Sequence, residues 1–228
     1  MTDTELFGWH FTRGDGTTRH LLTRETIGTT YRQVGTIEPC TNGLHGSLRA
    51  LDALSYANDS THVRYCRFGG EIVQESDKIA ASERTPLYEG NVKSVIRTFA
   101  FECADRAVRL HAPAALRSAG METDAVALES LSPIVDITTA FAATNASNAS
   151  RAAFAARTAR AASDAAGAAR TARTASDASD AAAFAARTAS DAAGAAGYAA
   201  SNAGERNWQN TRLETLLRAA LNMPEASE

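Results

Sequence analysis

Between residues 141 and 203 the chain has no valine, isoleucine, leucine, methionine, lysine, glutamate, proline or cysteine. A segment so poor in large apolar side chains cannot build a core by area, since burial contributes only about 25 cal/mol per Å² and an alanine methyl offers little of it. Cysteine is scarce throughout. Cys40, Cys66 and Cys103 are odd in number and widely spaced, which excludes a disulfide framework and suits a reducing compartment. No run reaches the roughly 20 apolar residues of a bilayer span, and residues 1–5 lack the basic-then-apolar profile of a secretory leader. The expectation is a cytoplasmic chain without membrane association. A surplus of positive charge is missing as well: 23 Lys and Arg against 26 Asp and Glu leave −3, too little cationic field for avid binding of a phosphate backbone. Nucleic acid is not an expected partner.

What is present divides the 228 residues into two kinds of sequence. Up to about residue 90 the signals are short strands broken by turns. Residues 6–12 are aromatic and β-prone, and Gly14-Asp15-Gly16 is turn chemistry that leads into a second hairpin strand at 17–23. Residues 29–37 read as another strand. Ser47 is placed to cap a helix running to Ala57, with Leu48, Leu51, Leu54 and Tyr56 as its inward stripe. Residues 62–68 alternate as a half-buried strand, Gly69-Gly70 turn or bulge it, and residues 78–81 add one more. Glu89 falls in a loop. From residue 91 the period becomes helical: Val92, Val95, Ile96, Phe99, Cys103 and Val108 share a side, Pro113 starts or kinks the next segment, and a short helix covers 124–131. An α+β head over residues 1–135 follows, with strands to about 90 and helices over about 91–132.

The second kind of sequence, residues 136–222, is an alanine-rich helical region. Residues 152–159 recur as 182–189 and residues 163–169 as 190–196, so the segment contains an internal repeat. Ala152, Ala155, Ala159, Ala162, Ala166 and Ala169 step by three and four, a heptad seam made of alanine, to be satisfied by an antiparallel half or by another subunit. Self-association is therefore the expected partnership. Four aspartates interleave with the arginines, which marks a solvated face. Trp208, Leu213, Leu216, Leu217 and Leu221 form a conventional apolar stripe that can clasp the rest, and residues 223–228 are left as a disordered tail.

Cys40, His45, His62 and Cys66 offer the donor types of a Cys2His2 zinc site. Strand alternation explains Cys66 as a small buried hydrophobe, and the tight Cys-x2-Cys pair of a zinc knuckle is absent, so no metal is assigned. Asn145-Ala-Ser147 and Asn148-Ala-Ser150 have the glycosylation pattern without a leader, and read as helix-starting residues.

Residues 39–45 (Pro-Cys-Thr-Asn-Gly-Leu-His), the helix 51–56, the strand 62–72 and Asp77-Lys78-Ile79-Ala80 together resemble an uncharacterised domain family of tailed bacteriophages and actinobacteria. The resemblance covers residues 6–85, and the alanine-rich tail ending in Trp208-Gln209 and leucines is similar to tails of the same proteins. It implies no activity and no cofactor. The resulting expectation is a non-enzymatic phage-type or mobile-element accessory protein that binds a host or phage partner. A looser likeness is to ADP-ribosyltransferases, carried by residues 43–47 (Gly-Leu-His-Gly-Ser), Ala53 and Tyr56-Ala57. It implies NAD as cofactor and a catalytic set in which His10 holds the nicotinamide ribose, Tyr56 stacks on the ring and Glu89 is the late catalytic glutamate. His45 stands where those enzymes usually carry tyrosine.

Overall fold

The structure, a computed structural model, describes residues 5–12, 17, 24–57, 60–118, 120–152 and 199–224. The expected strand 17–23, most of the alanine repeat and residues 225–228 lie outside them. The chain groups into two compact units, Met1–Val95 with Leu213–Glu228, and Ile96–Arg212.

The first unit is an antiparallel sheet with strands β1 (Leu6–Thr12), β2 (Tyr31–Arg32), β3 (Leu44–Gly46), β4 (His62–Gln74) and β5 (Ile79–Asn91). The order is β1-β4-β5-β2, and β3 also pairs with β5. A backbone bridge then ties the far end back to the beginning: Trp9 N–H donates to Ser47 O at 2.8 Å and Ser47 N–H to Trp9 O at 2.9 Å. The sheet therefore rolls up through β1, β4, β5 and β3. Two glycines permit the close approach, since a Cβ at Gly8 would lie 2.5 Å from Ser47 O and one at Gly46 would lie 2.4 Å from Phe68 Cζ. Ser47 uses its backbone for this bridge, and the N-cap of α1 (Ala50–Ser55) is Arg49, without a side-chain bond. Glu214 instead accepts from Ala50 N–H at 3.3 Å.

Cross-strand partners share a face. Leu6, Gly8 and His10 stand opposite Phe68, Cys66 and Arg64. The inward face of the roll therefore carries an apolar half, with Cys66, Phe68, Ile79 and Ala81 buried together, and a polar half beginning at Arg64. On the other face Trp9 is buried and meets Tyr65 edge-on. Leu213 and Leu217 are buried as the expected C-terminal stripe requires, and Arg218 lies over the Tyr65 ring at 5.2 Å. Each fully buried aliphatic or aromatic side chain contributes about 1.5–3 kcal/mol.

In the second unit α2 (Lys93–Asp105) buries Ile96, Phe99 and Cys103, the stripe read from the sequence. A π turn over Arg106–His111 continues it, with Ala112 N–H bonded to Ala107 O five residues back. This wide turn lies immediately before Pro113, whose ring would press on the carbonyl of Arg109 in regular α geometry. Then come α3 (Ala112–Ser118), α4 (Glu122–Glu129), α5 (Ile137–Ala152) and, after the undescribed stretch, α6 (Ala199–Ala220). Gly120, at φ +77°, ends α3. Asp136 opens α5 by accepting Thr139 N–H at 2.8 Å. The described chain is thus α+β, a sheet followed by helices. Among the described residues no helix is long and apolar enough to cross a membrane.

Candidate functional site

Arg64 is the centre of the polar half. Its neighbour on β1 is His10 and its neighbour on β5 is Glu89, so these three side chains form a row on one face. Glu89 sits in β5 rather than in the loop expected from Tyr88-Glu89-Gly90-Asn91, because those residues pair with 62–65 of β4. Arg64 is wholly buried, and burying a guanidinium is costly unless it is paired.

The partners are supplied by the segment following residue 23. Glu25, itself buried, accepts from Arg64 Nη1 at 2.7 Å through Oε2 and from Arg84 Nη2 at 2.6 Å through Oε1. The Glu25 carbonyl takes Arg64 Nη2 at 3.2 Å. Arg64 Nε reaches Glu89 Oε2 at 3.1 Å, and Arg24 closes the chain on Glu89 Oε1 at 2.6 Å. Arg84 Nη1 donates to the carbonyl of His45 at 2.7 Å. The result is a continuous line of alternating charge, from Arg24 through Glu89, Arg64 and Glu25 to Arg84, which fastens residues 24–25 and β3 onto the sheet. Within it Arg64 and Arg84 balance Glu25 and Glu89. Burial pushes the Glu89 carboxyl up, yet hydrogen bonds from Arg24 and Arg64 outweigh this and hold it below the usual glutamate value. Nearby, burial lowers His62 below the usual histidine value.

Of the four residues singled out by the looser likeness, His10 and Glu89 are brought to one face on either side of Arg64. His45 joins the cluster through its backbone carbonyl. Its ring Nε2 faces elsewhere and accepts Cys40 N–H at 2.9 Å, within a turn where Cys40 has φ +66°. Tyr56 is half exposed after α1, and its phenol hydrogen bonds to Asp77 beside a shallow cleft lined also by Asp52, Glu75 and Lys78. That hydrogen bond raises the Tyr56 pKa. The zinc-type donors are not assembled: Cys40 is exposed while Cys66 is in the core, and among the described residues no three His, Cys, Asp or Glu converge on a metal position.

Glu25, Arg64 and Arg84 are the residues that sequence reasoning missed. For Arg64 a signal existed, because it has the same strand parity as Cys66 and Phe68 and so belongs with them on the inward face. Chemically, the arrangement leaves Glu89 with a guanidinium on each oxygen. A carboxylate compensated in this way presents little net field to a developing cation and has a weakened basicity.

No curated protein and no solved structure matches the chain. A family model described as a domain of unknown function (DUF7666) matches residues 16–98, which takes in β2 to β5 and the beginning of α2 and leaves β1 outside.

Proposed function

We propose that this chain is a non-enzymatic accessory protein of phage or mobile-element type, acting in the cytoplasm of a bacterial host by binding a protein partner. Its alanine-rich helices oligomerise it or space it from that partner. The observation carrying the non-enzymatic half is the engagement of Glu89 by Arg24 and Arg64 together with the placement of Tyr56 on Asp77, which leaves the likeness to ADP-ribosyltransferases without an assembled catalytic set. The cluster serves as a clamp for the fold. The self-associating half is supported at α5, where Ile137 and Phe141 are half exposed and Ala140 and Ala143 are buried. Phe141 lies on the same three-and-four step that reaches Ala152, Ala155 and Ala159 in the sequence.

Sedimentation velocity of the full chain tests this half. The expected result is an oligomer that shifts toward monomer in Phe141→Ser, with an unchanged circular dichroism spectrum. A wild-type monomer at all concentrations would remove it. The second reading, an NAD-dependent transferase, rests on the shared face of His10 and Glu89, and label transfer from NAD separates the two.

A further inference from the structure

The second unit holds a buried carboxylate that neither reading uses. Glu205 of α6 has a fully buried side chain. Its Oε2 accepts Arg106 Nε at 2.8 Å and Arg106 Nη2 at 2.6 Å, and lies 2.8 Å from His111 Nε2. Its Oε1 accepts Gln209 Nε2 at 3.1 Å. The π turn makes this convergence geometrically natural: Arg106 and His111 are five residues apart, one π turn, and so project to the same side. Arg106 is held further by the Trp208 ring, 4.0 Å beneath its guanidinium. One turn on, Arg212 grips Glu102 of α2 with two hydrogen bonds at 2.7 and 2.6 Å. Residues about a hundred positions apart in sequence are thus joined by two carboxylates of opposite origin, one from α6 and one from α2.

We infer that Glu205 is a proton-operated clasp, which holds residues 203–212 against α2 and the π turn while its carboxylate is ionised and releases them when that charge is lost. The titratable and charged groups that face it are Arg106 and His111 from the π turn and Cys103 from α2, and Cys103 also adjoins Glu102, which pairs with Arg212. Burial pushes the Glu205 carboxyl up, but the bonds from His111 and Arg106 outweigh it and hold the group below the usual glutamate value. With the folded pKa below the unfolded one, the stabilisation is fully present above the unfolded value, about 4.5, and is lost as pH falls through the folded value. A protonated acid gives up the charge-assisted bonds to Arg106 and leaves a partly exposed guanidinium poorly paired. This inference is independent of the partner-binding reading.

Amide hydrogen exchange of the full chain, corrected for the intrinsic pH dependence, tests it. In wild type, protection of residues 203–212 falls below pH 4.5 while that of α4 persists. In Glu205→Gln, protection of residues 203–212 is already reduced at pH 7 by about tenfold or more, the size of one charge-assisted bond, and changes less with pH than in wild type. His111→Gln, which keeps the Arg106 pair, loses less. Wild-type-like exchange in Glu205→Gln would overturn the inference. So would loss of protection in residues 203–212 and α4 together, in both Glu205→Gln and Arg106→Gln, because the carboxylate would then belong to a core that opens only as a whole.

Discussion

Glu25 and Arg84 meet at 2.6 Å inside the rolled sheet, with side chains 0% and 2% exposed, and Arg64 binds the other oxygen of the same carboxylate. An acid from an irregular segment is thereby enclosed between two strands. Truncating Glu25 to alanine takes the carboxylate from buried Arg84 and leaves Arg64 with Glu89 alone, and the expected cost is about 3–5 kcal/mol in urea denaturation. Glu25→Gln, which still accepts hydrogen bonds, should lose less. A loss under about 1 kcal/mol in the alanine variant would show that the clamp does not hold the fold.

Closure of the sheet depends on missing side chains. Gly8→Ala places a methyl against the Ser47 carbonyl, a backbone atom that cannot swing away, and Gly46→Ala places one against the Phe68 ring. Each should destabilise by about 1–3 kcal/mol, with Gly8→Ala the worse because its obstacle is main chain. Equal tolerance of alanine at both positions would argue that β1 and Ser47 do not need to approach so closely.

Much of this roll was legible in the residues that form it. The alternation of residues 62–68 gave β4, the glycine pair gave its bulge, where Gly70 has φ +69°, and the spacing of Ile96, Phe99 and Cys103 gave the inner face of α2. The buried charges were not legible as a group. A pattern of apolar and polar residues assigns arginine and glutamate to solvent, and only the pairing register shows that Arg64, Arg84 and Glu25 meet. Glu89 lies in β5 although the glycine and asparagine after it favour a turn, because β4 supplies backbone partners out to Asn91. The strand expected over 29–37 shrinks to Tyr31–Arg32, because the chain there is held by loop bonds such as Gln33 Nε2 to Asn42 Oδ1 at 2.7 Å. Ser47 had the side chain of a helix cap, but tertiary pairing with Trp9 took its backbone for another purpose.

Stability should fall in two stages on acidification. Burial holds His62 below its usual 6.5, so the unfolded chain takes up a proton there first and stability declines as pH drops below about 6.5 toward the folded value. Glu89 and Glu205, both held below 4.5, contribute stability above that value and lose it at lower pH. Urea midpoints at pH 7.5, 6.0, 5.0 and 4.0 check this. The decline between pH 7.5 and 5.0 should be absent in His62→Gln and present in wild type. A wild-type midpoint that is flat across that interval contradicts the assignment to His62.

Thiol reactivity should separate the three cysteines. Cys40 is exposed, while Cys66 and Cys103 are buried, and burial pushes the Cys66 thiol up to about 12. An aromatic disulfide reagent at pH 8 should therefore find one fast thiol in the native chain and three after denaturation. Cys40→Ser should abolish the fast phase. Rapid reaction of two thiols in the native state would mean that the core is more open than the packing of Phe68 and Ile79 implies.

The role of Glu89 decides the account, because the same carboxylate is either a structural anchor between Arg24 and Arg64 or the catalytic acid of an NAD-dependent transferase. The direct measurement is transfer of label from NAD by wild type and Glu89→Gln in host lysate, with the thermal midpoint of each protein recorded alongside. If Glu89 is an anchor, neither protein transfers label and Glu89→Gln melts lower, since Arg64 Nε loses its charged partner. Transfer by wild type that disappears in a Glu89→Gln variant of unchanged melting temperature, with NAD binding retained, would contradict the account and make Glu89 catalytic.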